Sequence, residues 1–449
     1  MPLFIFIALF LCFPTKIYAQ NFGAQTHTLK NGLQIVVIPN NRVPIITHMI
    51  WYKVGSADEQ VGQSGMAHYL EHLMFKGTDT LKPGEFSRRV KEMGGNDNAF
   101  TSYDYTAYYQ TIPVQQLESV MIMEADRMQN LKVLPQDFQS EKNVVIEERK
   151  QRVDNTPLSR LSEQLTHILY ANHPYAIPVI GWMHEIESYE WDDVRKFYDI
   201  WYAPNNAVVV ISGNITMDKL LPMAEKIYGV IPSKTLPERA RPQIAPAIAS
   251  PTLTLVHDQI KEPAFIIKLL APSYNQDKKD ALALTVLQQI LGGDSTSRLY
   301  QSLVVQQKKA VDISMHYRSG AINHGSITIM ATPKEGIETP KMRSYIQKEL
   351  DDIIQNGVTE TERQKAIEQL QNEQIFARDS ISAPALIFGR ALTTGSSIQD
   401  IENWTKDLET VTKTDIMRVA KKYLDLNNGW IRSAVFGIPT PNKKEKKEE

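Results

Sequence analysis

Apolar residues along this chain fall into two recurring patterns. Short runs with strand character open each half: Leu33 to Ile38 and His48 to Val54, then Leu253 to His257 and Ala264 to Leu270. Stretches with apolar positions three and four apart follow them and read as amphipathic helices. Later in the first half, a helical pattern through Asp193-Val194 leads to Tyr202, Asn205-Asn206 and the apolar strand Ala207 to Ser212. The second half repeats the succession with Asp415-Ile416, Tyr423, Asn427-Asn428 and the strand-like Trp430 to Phe436. The Asn-Asn pair follows its Asp at the same distance in both. This echo predicts a tandem duplication of one α+β domain, each copy a mainly antiparallel sheet covered by helices.

Between the copies, Pro232, Pro237, Pro242, Pro246 and Pro251 stand among small and charged residues, which predicts an extended linker over 231–253. The expected domains are therefore 20–230 and 254–440. The almost wholly charged Asn442 to Glu449 belongs to a disordered tail over 441–449. At the other end, Leu3 to Phe13 is an unbroken apolar run, followed by Pro14 and Ile17-Tyr18-Ala19. It is too short to span a bilayer and has the build of a signal peptide, 1–19, cleaved after Ala19. One Lys and no Arg among the first twenty residues argue against a mitochondrial transit peptide. The expected location is outside the cytoplasm, periplasmic or secreted.

Composition changes this picture only at two points. The single cysteine, Cys12, lies inside the signal, so the mature chain can form neither disulfides nor thiolate metal sites. A net charge of -2 over 449 residues gives no reason to expect a nucleic-acid partner. No later apolar stretch is long enough for an integral membrane segment.

The chemistry is concentrated in His68-Tyr69-Leu70-Glu71-His72. Met66 to Phe75 has helical periodicity, with Gly62 and Gly65 before it and Lys76-Gly77-Thr78 after it. Residues four apart share a helix face, so His68 and His72 can direct two imidazoles at one ion. Glu71 then lies beside that ion, where a carboxylate can take a proton from a bound water. This H-x-x-E-H order inverts the common zinc-peptidase helix motif. A catalytic zinc needs a third ligand, and the helical pattern Glu141 to Arg152 offers Glu141, Glu147 and Glu148 while burying Val144, Val145 and Ile146. Glu141 and Glu148 share a face and Glu147 is turned by about 100° from Glu148, yet helix geometry does not choose between Glu147 and Glu148. A further motif, Gly94-Gly95-Asn96-Asp97-Asn98-Ala99-Phe100-Thr101, reads as a turn that leads into an alternating strand over Ser102 to Gln110.

HYLEHLMFKGT over His68 to Thr78, together with the Glu141 to Glu148 segment, resembles the pitrilysin or insulinase family of zinc peptidases. The two-domain branch, which includes bacterial periplasmic and mitochondrial processing peptidase subunits, is the nearest in pattern. The resemblance implies one Zn²⁺ per chain on His68, His72 and Glu148, with Glu141 supporting them and Glu71 as the base. It also implies an edge strand in which Asn98, Ala99, Phe100 and Thr101 bind an extended peptide backbone beside the metal. Each chain would be one half of a clamshell that encloses short, unstructured peptides.

The second half lacks this equipment, since its counterpart helix, Leu284 to Leu291, carries Gln288 and Gln289. The resemblance implies an Arg and a Tyr in the second domain that bind the substrate carbonyl. Alignment through Ser297 to Gln301 puts those positions at Val304 and Val311, with Tyr317 and Arg318 out of register as plain strand residues. Loss of an oxyanion donor costs about 10²–10³ in rate. The expectation is a metal-bearing subunit whose homologous partner supplies the Arg-Tyr pair. A non-catalytic binding or regulatory subunit is the competing reading.

Overall fold

Ala207–Gly213 reads AVVVISG with no polar alternation, as a strand buried on both faces does. The computed structural model, which describes residues 22–245, 249–426 and 431–437, places this run at the middle of a sheet. The expected signal peptide, charged tail, Asn427-Asn428 and Trp430 lie outside the described residues.

Strands β1 (Gln25–Thr28), β2 (Gln34–Pro39), β3 (Ile45–Tyr52), β4 (Asn96–Thr101), β5 (Thr106–Pro113) and β6 (Ala207–Gly213) form one sheet, ordered β1-β2-β6-β3-β5-β4. A second sheet contains β7 (Thr252–Val256), β8 (Ala264–Ala271), β9 (Ala310–Arg318), β10 (Gly325–Pro333) and β11 (Ile431–Gly437), ordered β7-β11-β8-β10-β9. Replacing β2, β6, β3, β5 and β4 by β7, β11, β8, β10 and β9 reproduces both order and direction. The pairs β2–β6 and β7–β11 are parallel and their neighbours antiparallel. The duplication expected from sequence is therefore one of topology, and β6 and β11 are equivalent strands. Among the described residues no helix is long and apolar enough to cross a membrane.

Alternate residues of the first sheet enter different cores. Ile35, Val37, Ile50, Val209 and Ile211 face the helices of their own half. Val36, Ile38, Met49, Trp51, Val208 and Val210 face Ala385, Phe388 and Ile401 from the second half. Reciprocally, Leu161 and Leu165 of the Pro157–Tyr170 helix pack on Ile266, Ala434 and Phe436 of the second sheet. Each half thus lends a helix to the other's sheet, which the expectation of two sequential domains did not contain. At the first exchange, a Cβ on Gly389 would stand 1.9 Å from Trp51, so only glycine lets the Ala383–Thr393 helix approach so closely. Full burial of Phe388 alone stabilises this contact by roughly 1.5–3 kcal/mol.

The stretch expected as a linker is extended but tethered. Arg239 and Arg241 each meet Asp58 at 2.8 Å, and Arg241 reaches Asp104 at 3.1 Å. Asp104 belongs to the β4–β5 reversal, so the linker pins the end of the sheet's outermost hairpin. Strand β7 takes up at Thr252, inside the far end of that stretch.

Candidate metal centre

The histidine helix runs over Met66–Leu73 and its start is unusual. Gly65 sits there with φ +89°, which glycine tolerates and which leaves no side chain to cap the first turn. Glu59 caps it instead, with Oε2 accepting from Gly65 N at 2.9 Å and Oε1 from Ala67 N at 2.8 Å. Burial pushes the Glu59 carboxyl well above the usual carboxylate range, against the lowering effect of these two backbone donors. The helix stops about a turn before Gly77, which lies in a left-handed bend beyond Met74 rather than at the helix terminus.

Pro135–Arg149 forms the glutamate helix. The Tyr69 hydroxyl donates to Phe138 O at 2.6 Å and ties the two helices together over buried Leu70, Leu73 and Val145. Val144, expected in the core, is instead 46% exposed and lines the cleft. It lies on the same side as Glu148, four residues on, and that side faces open space rather than a packed neighbour.

Between these helices, Glu148 Oε2 lies 3.2 Å from His72 Nε2 and 3.6 Å from His68 Nε2. The other nitrogen of His72, Nδ1, donates to Glu141 Oε1 at 2.8 Å, so one imidazole bridges the carboxylates seven residues apart. Lys76 pairs with Glu141, and Arg152 holds Glu148 Oε1 at 2.7 Å. Glu147 points away, 60% exposed and paired with Lys150 at 2.7 Å. The structure brings Glu141 and Glu148, the carboxylates that the family resemblance implied, to the two imidazoles, and adds Glu59, Lys76 and Arg152, which sequence reading did not name as site residues. No short-range motif links these three to the residues they support.

Glu71 is buried beside His72, and its Oε2 accepts from Thr101 Oγ1 at 2.6 Å. Burial pushes its carboxyl up to about 7, against the lowering effect of Thr101. Burial, reinforced by the charge of His72, pushes His68 down to about 4. Burial also opposes charge on His72, but its donation to Glu141 and the nearby Glu148 carboxylate prevail and raise it to about 9. Of the two imidazoles, only His72 is held in surroundings that favour positive charge.

Asn96 to Asn98 are not part of the turn that the Gly94-Gly95 and asparagine cluster suggested. With Ala99 to Thr101 they form β4 itself, paired with β5 from Asn96↔Thr111 to Thr101↔Thr106, and the chain reverses over Ser102–Tyr105. The turn signal at Gly94-Gly95 acts one step earlier, between helix and strand. β4 is the sheet's edge and borders a cleft of about 1200 Å³, shared with the two histidines, Phe75 and Val144. Two details differ from a plain binding edge. Asn98 Oδ1 already accepts from Ala99 N at 2.8 Å, and the Thr101 side chain serves Glu71.

In the second half, Gln288 and Gln289 lie on the Lys278–Gly292 helix. Val304 is half-buried against the second core, and Val311 on β9 is 59% exposed. Tyr317 and Arg318 are strand residues, as expected. Tyr317 donates to Pro272 O at 2.5 Å, and Arg318 packs over the rings of Tyr103 and Tyr175.

The donor set fits a single zinc ion. One atom each from His68, His72 and Glu148 lies within 4.8 Å of the others, and Glu148 Oε2 is buried without a hydrogen bond. Two imidazoles and a carboxylate, with a fourth position open to the cleft, form a set used by catalytic zinc. Glu141 on Nδ1 fixes the tautomer that leaves His72 Nε2 available.

Comparison with known proteins agrees. Residues 35–181 match the model of the insulinase family (peptidase family M16), and residues 189–370 match that of the M16 inactive domain. A zinc protease of Helicobacter pylori, PqqE, is 30% identical over 417 residues, covering 91% of this chain and 92% of its own. An uncharacterized zinc protease of Mycobacterium leprae is 27% identical, with 95% and 94% covered. Among solved structures, a protease from Helicobacter pylori superposes with a TM-score of 0.85 at 27% identity, covering 93% of this chain and 99% of that one. An M16-like peptidase from Alicyclobacillus acidocaldarius shares the fold, with a TM-score of 0.83 at 21% identity over 94% of this chain and 100% of that one. The chain belongs to the insulinase-type, or M16, peptidase family.

Proposed function

We propose that this protein is a zinc-dependent endopeptidase subunit that hydrolyses short, unstructured peptides. The reading is carried by the convergence of His68, His72 and Glu148 within 4.8 Å, with Glu71 beside them and a free sheet edge alongside. His68, His72 and Glu148 would hold the ion, which when bound supplies a Lewis acid and brings a water's pKa towards neutrality. Glu71 takes the proton of the attacking water and returns it to the leaving amine. Because Thr101 occupies Oε2, the proton moves through Oε1, for which the described residues offer no hydrogen bond. Glu141 keeps the His72 ring in place throughout. An extended peptide adds as a strand to β4, where Asn98, Ala99, Phe100 and Thr101 present main-chain groups. To donate to it, Ala99 N must first leave Asn98 Oδ1. A folded domain cannot offer such a strand, which restricts substrates to unstructured segments.

The valines at 304 and 311 support the further reading that this is the metal-bearing subunit of a heterodimer. A homologous partner would contribute an Arg-Tyr pair and the other half of the clamshell. The Leu3 to Ala19 segment supports the reading that the chain is exported, to the periplasm or as a secreted protein.

The test is Glu71→Gln, assayed with the partner and with the zinc content measured in parallel. We expect bound zinc to be unchanged and cleavage of a fluorogenic unstructured peptide to fall by about 10²–10⁴. Retention of more than about a tenth of the activity would remove Glu71 as the base. A wild-type chain that binds zinc and cleaves nothing, even with a partner, would favour the non-catalytic reading.

A further inference from the structure

A second cavity, of about 430 Å³, lies in the second half, away from the metal cleft. That volume is within the range of small-molecule sites, roughly 300–1,000 Å³. Leu370, Glu373, Gln374 and Ala377 line it from the Glu360–Asp379 helix, at the three- and four-residue spacing of one helix face. Ile387 and Arg390 close a second side, and Trp404 a third.

Two charged groups at exposed positions on these walls have no protein partner among the described residues. Among the described residues, nothing engages the Arg390 guanidinium or the Glu373 carboxylate, and no ion pair joins the two although they share one cavity. Other cations nearby are paired: Lys278, for example, meets Asp400 and Asp407 at 2.8 Å each. The amide oxygen Oε1 of Gln374, next to Glu373, is buried with no hydrogen-bond partner. Native structures leave few such atoms without a reason. The cavity thus offers the Glu373 carboxylate on one wall with the Gln374 amide next to it, a free guanidinium on another, and an apolar surface of Leu370, Ile387 and Trp404 between them.

We propose that this cavity binds a small zwitterion with an apolar side chain, namely a free amino acid or a dipeptide. The α-ammonium donates to Glu373 and to the Gln374 amide oxygen, which turns toward the cavity to accept it. The α-carboxylate accepts from Arg390, whose planar fork suits it. The side chain covers Trp404 and Ile387. Peptide hydrolysis releases molecules of this chemistry, but the assignment rests on the cavity alone and stands or falls separately from the peptidase reading.

Isothermal titration of the zinc-loaded chain with L-leucine, N-acetyl-L-leucine, L-leucinamide and Leu-Leu tests it. L-leucine or Leu-Leu should bind, and whichever binds more tightly identifies the source of the zwitterion. Blocking either terminus of leucine should weaken binding at least tenfold. Arg390→Gln and Glu373→Gln, both at exposed positions, should each do the same. His68→Ala should leave binding intact, because a ligand held by the zinc would be lost there. The proposal is overturned if neither zwitterion binds, if a blocked leucine binds as well as the free one, if neither cavity variant weakens binding, or if His68→Ala abolishes it.

Discussion

The helices Met66–Leu73 and Lys278–Gly292 follow equivalent strands, β3 and β8, yet they treat their polar residues in opposite ways. In the second half, Gln288 donates to Met315 O at 3.0 Å and Gln289 to Gln369 Oε1 at 3.3 Å. Gln369 in turn donates to Asp294 Oδ2 at 2.9 Å. These neutral amides satisfy one another and the adjacent strand. In the first half, charged and titratable groups crowd the same junction: His68 Nδ1 is buried without a hydrogen bond, and buried Glu148 Oε2 has only the two imidazoles beside it. A buried unsatisfied polar atom costs about 1–3 kcal/mol. At this junction one copy of the duplicated fold is satisfied by neutral amides, whereas the other retains a local instability that a bound cation would relieve. The histidine helix is also the shorter, and its start depends on Glu59 from a preceding loop.

The sharpest way to break this comparison is to remove the unsatisfied oxygen. Glu148→Gln should abolish zinc binding and with it all peptide cleavage. Glu147→Gln, which changes only an exposed pair with Lys150, should keep both within about twofold, as surface changes usually do. Elemental analysis of the two folded variants decides it, since equal losses would mean that helix orientation does not select the ligand. The next largest effect concerns the second half. The chain alone should cleave peptides about 10²–10³ more slowly than with its partner, the usual cost of a missing oxyanion donor. Peptidase rates that a stoichiometric partner does not raise would sink the heterodimer. Smaller again is Thr101→Val, which removes the hydroxyl on Glu71 while keeping a β-branched residue at the strand's end. Hydrogen bonds to charged groups contribute about 1.5–3 kcal/mol, so kcat should fall roughly 10- to 100-fold. Zinc content should not change. A matching loss of zinc would show that Thr101 supports the helix rather than the carboxylate.

The sequence made the charged half of this comparison legible and left the exchanged helices hidden. His68, Glu71 and His72 stand out because metal ligation would need these residue types at helical spacing, and only one segment of the chain has them. The duplicated topology was readable from Asp193 to Ser212 and Asp415 to Phe436, since equivalent strands keep equivalent approaches. Leu161 and Phe388 carry no comparable signal. An amphipathic helix shows that it buries one face but not which sheet it covers, so the reciprocal exchange emerges only in three dimensions. The reading of Asn96 to Asn98 as a turn failed for a related reason. Glycine and asparagine ordinarily mark reversals, but an edge strand need not fill both of its faces, so polar residues are tolerated there.

The last test takes the satisfied half on its own terms. Asp280, in the Lys278–Gly292 helix, is almost fully buried and is met by Arg418, by Lys422 at 2.9 Å and by the Tyr423 hydroxyl at 2.6 Å. Burial alone would raise its pKa, but these three donors outweigh it and bring the carboxyl down to about 2. The folded value thus lies below the unfolded one of about 3.9, so the charge stabilises the fold at every pH above the latter. That contribution drains away as pH falls through about 2. Arg418 and Lys422 are partly open to solvent, which screens the pairs and limits the effect to the order of 1 kcal/mol. Asp280→Asn should therefore be less stable than wild type at pH 6, with the gap closing between about pH 4 and pH 2. Urea midpoints on metal-free protein check this without interference from acid release of zinc at the other site. A gap that persists unchanged at pH 2 would assign the loss to packing. A gap that closes would show that the second half has kept a buried carboxylate purely to hold its helices together.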